Sequence, residues 1–123
     1  MADTKVEVNA VFPIFTVRDL DEAIAYYRDE LGFTAAWTWG SPPIRAGVRL
    51  GAVEIHLVCD PNGLQLGPSV VYCHMTGVDA YYAACRSRGA EIAMELGPRP
   101  WGVRDFRVMD PSGNRIGFAE IEG

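Results

Sequence analysis

Apolar and polar positions along the chain fall into one pattern that occurs twice. Val6 to Val17 is rich in apolar and β-branched residues and predicts a strand; Leu20, Ile24, Tyr27 and Leu31 then recur at helical spacing on one face. Asp19, Asp21 and Glu22 suit the start of that helix, and Gly32 is placed to end it. Ser69 to Met75 predicts a second strand, followed by a helix with Val78, Tyr82 and Cys85 inward and Gly89 at its end. Setting Arg18-Asp19-Leu20-Asp21 over Thr76-Gly77-Val78-Asp79, a shift of 58 positions, superimposes both strands and both inner helix faces.

Three short strand-like runs follow each helix. They are Phe33 to Trp39, Arg45 to Leu50 and Val53 to Val58 in the first half, and Glu91 to Met94, Val103 to Met109 and Arg115 to Ile121 in the second. Gly40-Ser41-Pro42-Pro43, Gly51, Asp60-Pro61-Asn62-Gly63, Gly97-Pro98-Arg99-Pro100 and the Asp110-Pro111-Ser112-Gly113-Asn114 turn break them. The predicted class is α+β: two βαβββ modules, about 6–60 and 69–121, in one domain spanning 1–123, joined by Leu64 to Pro68. One helix covers only one face of a four-stranded sheet, so each module has a second face to use.

Strand alternation assigns those second faces. Phe12, Ile14 and Thr16 share one parity of the first strand; Val70, Tyr72 and His74 share the corresponding parity of its repeat. Glu54 and His56 lie opposite the apolar Val53, Ile55 and Leu57, and Gly117 lies opposite Ile116 and Phe118. Trp37 and Trp39 share a parity, and Trp101 stands at a Pro-Trp-Gly corner. These rings offer stacking area and an N–H donor at the edge, a surface for a planar aromatic or heteroaromatic small molecule. For Trp37 and Trp39, packing beneath a neighbouring chain is the alternative.

Composition narrows the partners. With 123 residues and 49% hydrophobic content the chain can enclose one core. The Met1-Ala2-Asp3-Thr4-Lys5 start lacks a signal-peptide core, no run reaches the roughly 20 apolar residues of a membrane span, and a cytoplasmic protein is expected. A net charge of -5 disfavours nucleic acid and mildly favours a cationic small molecule. Cys59, Cys73 and Cys85 are odd in number and without CxxC spacing, as small buried hydrophobes would be.

The Pro100 to Phe118 stretch, with its strand, Asp-Pro-Ser-Gly-Asn turn and second strand, closely resembles the C-terminal hairpin of the glyoxalase/bleomycin-resistance/extradiol-dioxygenase superfamily. That resemblance implies an incomplete barrel around a concave site, completed in a homodimer. It places the metal ligands of metal-dependent members at Phe12, Val70, His56 and Gly117, of which only His56 can donate a lone pair. No metal and no other cofactor is therefore expected. The Pro100-Trp101-Gly102 corner before the turn is similar to that of bleomycin-binding proteins, which implies a stacking role for Trp101. Ala46-Gly47-Val48 is similar to a run that follows an aromatic residue in those proteins, but here Arg45 stands in its place and opposes a cationic drug. With the faces assigned by alternation, the expected ligand contacts are Phe12, Trp37, Trp39, Arg45, Glu54, His56, Tyr72 and Trp101, with Arg49 a further polar anchor if it faces inward. The implied function is metal-independent sequestration of a bleomycin-like aromatic ligand. The alternatives are a superfamily enzyme, with displaced metal ligands or with Glu54/His56 as an acid–base pair, and a module presenting a biosynthetic intermediate.

Overall fold

A computed structural model describes residues 5–63 and 65–122; Leu64 of the expected connector and Met1 to Thr4 lie outside the described residues. The first module comprises β1 (Ile14–Thr16), α1 (Leu20–Ala25) continuing into a π-helical turn (Tyr26–Glu30), β2 (Thr34–Gly40), β3 (Pro43–Leu50) and β4 (Val53–Val58). The second comprises β5 (Val70–His74), α2 (Val78–Ser87), β6 (Ile92–Arg99), β7 (Val103–Met109) and β8 (Arg115–Ile121). Each forms its own four-stranded sheet, ordered β1-β4-β3-β2 and β5-β8-β7-β6. The parallel pair repeats: Ile14 lies opposite His56, and Tyr72, its mate at the 58-position shift, lies opposite Gly117.

Local chemistry explains where the elements begin. Asp19, in an extended conformation, caps α1 by accepting from the Glu22 N–H at 2.9 Å. The helix then buries Leu20, Ala23, Tyr26, Tyr27 and Leu31, a wider face than the i, i+4 pattern alone indicates, because the π turn brings Tyr26 and Tyr27 inward together.

Two boundaries differ from the sequence reading by more than two residues. The Val6 to Val17 run is a strand only at Ile14–Thr16, and Val6, Val8 and Val11 are exposed. Extending the Ile14–His56 register backward brings Val11 opposite Val53, the first residue of β4, so the chain before Val11 has no strand beside it. In the second module β6 passes through the Gly97-Pro98-Arg99 segment expected to break it. β6 is an edge strand, where the missing Pro98 N–H costs no ladder hydrogen bond.

One core joins the helix-bearing faces of both sheets. Phe15, Tyr27, Leu31, Ile55 and Leu57 pack in the same cluster as Phe106, Val108, Ile116 and Phe118, all nearly inaccessible to solvent. Burial of side chains of this size contributes about 1.5–3 kcal/mol each. Cys73 and Cys85 are buried as expected, whereas Cys59 is only half-buried.

Polar contacts fix the modules to each other through the β7–β8 turn. The buried Asp110 carboxylate accepts from the Ser112 and Asn114 N–H groups at 2.9 Å each, from Asn114 Nδ2 at 3.1 Å and from the Tyr27 hydroxyl at 2.9 Å. Tyr26 donates to the Met109 carbonyl at 2.8 Å, and Asn114 Nδ2 also reaches the Thr16 carbonyl at 3.1 Å. Burial and the Asp110 charge push the Tyr27 phenol well above its ordinary pKa, so it remains a donor. Tyr27→Phe should cost about 1.5–3 kcal/mol, the worth of a hydrogen bond to a charged group. In urea denaturation the midpoint should fall with an unchanged slope; an unchanged midpoint would show that the modules do not depend on this bond.

Candidate functional site

With the helix-bearing faces buried against each other, the opposite face of each sheet is turned away from the core, and the residues assigned to it by alternation lie there. In the first module they form one connected group. His56 Nε2 lies 2.8 Å from Glu54 Oε2, its Nδ1 lies 3.5 Å from an Arg45 guanidinium nitrogen, the Phe12 ring stacks on it at 4.8 Å and Trp37 meets it edge-on at 4.9 Å. Because a guanidinium only donates, Nδ1 accepts and the ring proton sits on Nε2, donated to Glu54. Glu54 also accepts from Arg49 and, at 3.4 Å, from Trp37 Nε1. Hydrogen bonds from Arg49 first, and then from His56, lower the Glu54 pKa to about 2. The carboxylate is thus a fixed acceptor, and the histidine has both nitrogens occupied.

A glycine makes this arrangement possible. The Trp37 indole lies directly on Gly47, where any Cβ would collide with it. Gly117 has the same role in the second module: its Cβ would stand 2.5 Å from Tyr72 Cδ1. Trp39, on the same face as Trp37, is 65% exposed and paired in register with Arg45.

The second face carries a buried charge that the sequence reading missed. Asp105 is fully buried and accepts from the Tyr72 hydroxyl at 2.5 Å and from Arg99 Nε at 2.6 Å. Burial opposes its ionisation, but the Tyr72 and Arg99 hydrogen bonds, with the Arg99 and Arg107 charges, outweigh burial and hold its pKa below the ordinary value. The signal was present, since Phe106 and Val108 face the core and Asp105 has the opposite parity. Asp105 thus adds a second acid to these faces, beside Glu54. Trp101, at the tip of the β6–β7 hairpin, is 59% exposed and leans its Nε1 to 3.4 Å from the Tyr72 hydroxyl. Tyr72 and Trp101 form one group and Phe12, Trp37, Arg45, Glu54 and His56 another, on different sheets.

The four positions that the resemblance assigns to metal ligands do not make a donor set. Phe12 covers the ring of His56, Val70 is apolar, and Gly117 lies under Tyr72. His74 sits edge-on to Tyr72 at 5.9 Å and lines a different cavity with Phe33, Leu50 and Tyr81. Among the described residues no three His, Cys, Asp or Glu side chains are grouped as a metal ion needs. No helix among them is long and apolar enough to cross a membrane.

Comparison with known proteins agrees with this architecture. Residues 9–118 match the family model described as Glyoxalase/Bleomycin resistance protein/Dioxygenase superfamily, and the chain belongs to that superfamily. It is 31% identical over 116 residues to a lactoylglutathione lyase of Haemophilus influenzae, covering 85% of this chain and 86% of that protein. Its fold is similar to that of TioX from Micromonospora sp. ML1, with a TM-score of 0.78, 19% identity, and coverage of 93% of this chain and 99% of the other. It is also similar to a glyoxalase/bleomycin resistance protein/dioxygenase from Alicyclobacillus acidocaldarius, with a TM-score of 0.76, 21% identity, and coverage of 92% and 91%.

The Glu54 cluster generates a pH dependence of definite sign. A carboxyl whose folded pKa is depressed stabilises the fold above its unfolded value and loses that contribution as pH falls toward the folded one. Wild type should therefore lose more stability than Glu54→Gln between about pH 5 and about pH 2, the gap between their urea midpoints narrowing on acidification. Parallel losses in the two proteins would show that the Arg49 and His56 contacts do not hold in solution.

Proposed function

We propose that this protein binds a planar aromatic or heteroaromatic small molecule, bleomycin-like in its binding mode, on the faces opposite its core, without a metal, and acts by sequestration. The observation that carries this reading is the aromatic surface on those faces. Trp39 and Trp101 are more than half exposed, and Tyr72 and Phe12 each show over 40% of their area. Exposed rings of this size on one side of the sheets are the usual material of a stacking site. The groups suited to chemistry are engaged instead: Glu54 takes three donors, and His56 lies between Glu54 and Arg45 under Phe12. Ligand contacts on this reading are Phe12, Trp37, Trp39, Arg45 and the Glu54/His56 pair on the first face, with Tyr72 and Trp101 on the second.

Neither face closes around a ligand alone. The cavity bordered by Tyr72, Met94 and Gly117 has all its walls from the second module. A second copy placing its first-module face opposite would complete the enclosure and cover Val70 and Ile14, both exposed. Sedimentation should give a homodimer mass; a monomer at the concentrations used for binding would remove this part of the proposal.

A second reading, an enzyme of the superfamily, is favoured by the 31% identity to a lactoylglutathione lyase. It requires turnover of a thiohemiacetal of methylglyoxal, lost on His56→Ala. The binding reading predicts no turnover in wild type or in His56→Ala.

Addition of bleomycin, phleomycin or polycyclic heteroaromatic antibiotics should identify compounds that quench tryptophan fluorescence and raise the melting temperature. For these, Trp101→Ala should weaken binding by about 1–3 kcal/mol, within the range of aromatic anchors. A panel without a shift, or Trp101→Ala binding as well as wild type, would sink the proposal.

A further inference from the structure

The cavity on the second face has a charge opposite to that of the whole chain. Its lining places Arg107 and Arg115 beside Tyr72, Met94, Val70 and Gly117 and includes no acid, in a protein of net charge -5. The placement follows from strand register: Arg107 is the cross-strand partner of Gly117, and Arg115 is that of Val70. Gly117 makes room for the Tyr72 ring, which walls the space that the two arginines flank.

Neither guanidinium is satisfied by the protein. Arg107 Nε is buried and has no hydrogen-bond partner among the described residues. Its nearest acid is Asp105, whose Oδ2 is 3.6 Å from Nη2 and already takes the Tyr72 hydroxyl at 2.5 Å. The same guanidinium stands 5.7 Å from the centroid of the Tyr72 ring, within cation–π reach. Arg115 makes no ion pair among the described residues.

We infer that this cavity is an oxyanion site that takes the carboxylate of an aromatic acid between Arg107 and Arg115, with the ring of the acid lying along Tyr72 toward Trp101. Guanidinium groups match a planar carboxylate through paired N–H donors. The cavity volume of about 180 Å³ is below the roughly 300–1,000 Å³ of sites that enclose a drug-sized ligand, so it seats one functional group while the rest of the molecule extends over the exposed rings. This inference rests on the proposed binding function and narrows its ligand class from planar aromatics to those that carry a carboxylate.

Isothermal titration with 2-naphthoate and with its uncharged counterpart 2-naphthamide tests it. At low salt the wild-type protein should bind naphthoate about tenfold or more tightly than the amide, as charge-assisted pairing implies. Arg115→Gln and Arg107→Gln should each remove most of that preference while leaving naphthamide affinity within about twofold. Arg115 is an exposed side chain at the start of β8, so its replacement tests the site even if Arg107→Gln disturbs the fold around Asp105. Equal affinity for the two probes, no binding of naphthoate, or an unchanged preference in Arg115→Gln would overturn the inference. If the preference is absent but both probes still depend on Trp101, the binding function stands and only the anion site falls.

Discussion

Four donors converge on the buried carboxylate of Asp110, and the joint between the two modules depends on them. The sheets share no hydrogen-bonded strands, so their relative position is set by a common apolar core and by the few directional bonds that cross it. Asp110 holds its own turn through two backbone N–H groups and the Asn114 amide, and the Tyr27 hydroxyl ties that turn to the first helix. A buried charge is tolerable only when its lone pairs are taken. The requirement works in both directions: the turn must keep its shape to satisfy Asp110, and the helix must remain docked to supply the phenol.

Once the helix-bearing faces are committed to that core, the opposite faces are left for function. Both are built by the same device, a large ring laid on a glycine of the neighbouring strand: Trp37 on Gly47, and Tyr72 on Gly117. Each ring then braces a charged group. Trp37 meets Glu54 and His56, while Tyr72 meets Asp105 and lies beneath Arg107. The duplicated fold thus presents two related surfaces with different polarity. The first is a closed network of Glu54 with Arg49 and His56. The second keeps Arg107 and Arg115 without a full complement of acceptors.

Much of this was legible in the sequence. The repeat at 58 positions and the period-two alternation predicted the two βαβββ modules and the outward side chains of β1, β4, β5 and β8, because an apolar face opposite a polar one leaves little freedom of register. Alternation applied to β7 would also have revealed Asp105, opposite in parity to Phe106 and Val108. Contacts fixed by packing between strands were not legible. Neither the stacking of Phe12 on His56 nor the seating of Trp37 on Gly47 follows from spacing along one strand. The over-long first strand and the misplaced break in β6 share a cause: propensity describes a segment, but pairing needs a neighbour. Before Val11 no strand lies alongside, while Pro98 is admitted because β6 is at an edge.

We propose that this member of the superfamily recognises its ligand through rings and guanidinium groups, where metal-dependent members use a bound ion. Phe12, Val70 and Gly117 stand where donors would be needed, and His56 has both nitrogens occupied. The most direct measurement is native mass spectrometry of the protein purified without chelators, with elemental analysis of the same sample. A dimer free of stoichiometric transition metal is expected, with any co-purifying molecule an aromatic compound. Nickel, zinc, iron or manganese at one ion per site would contradict it.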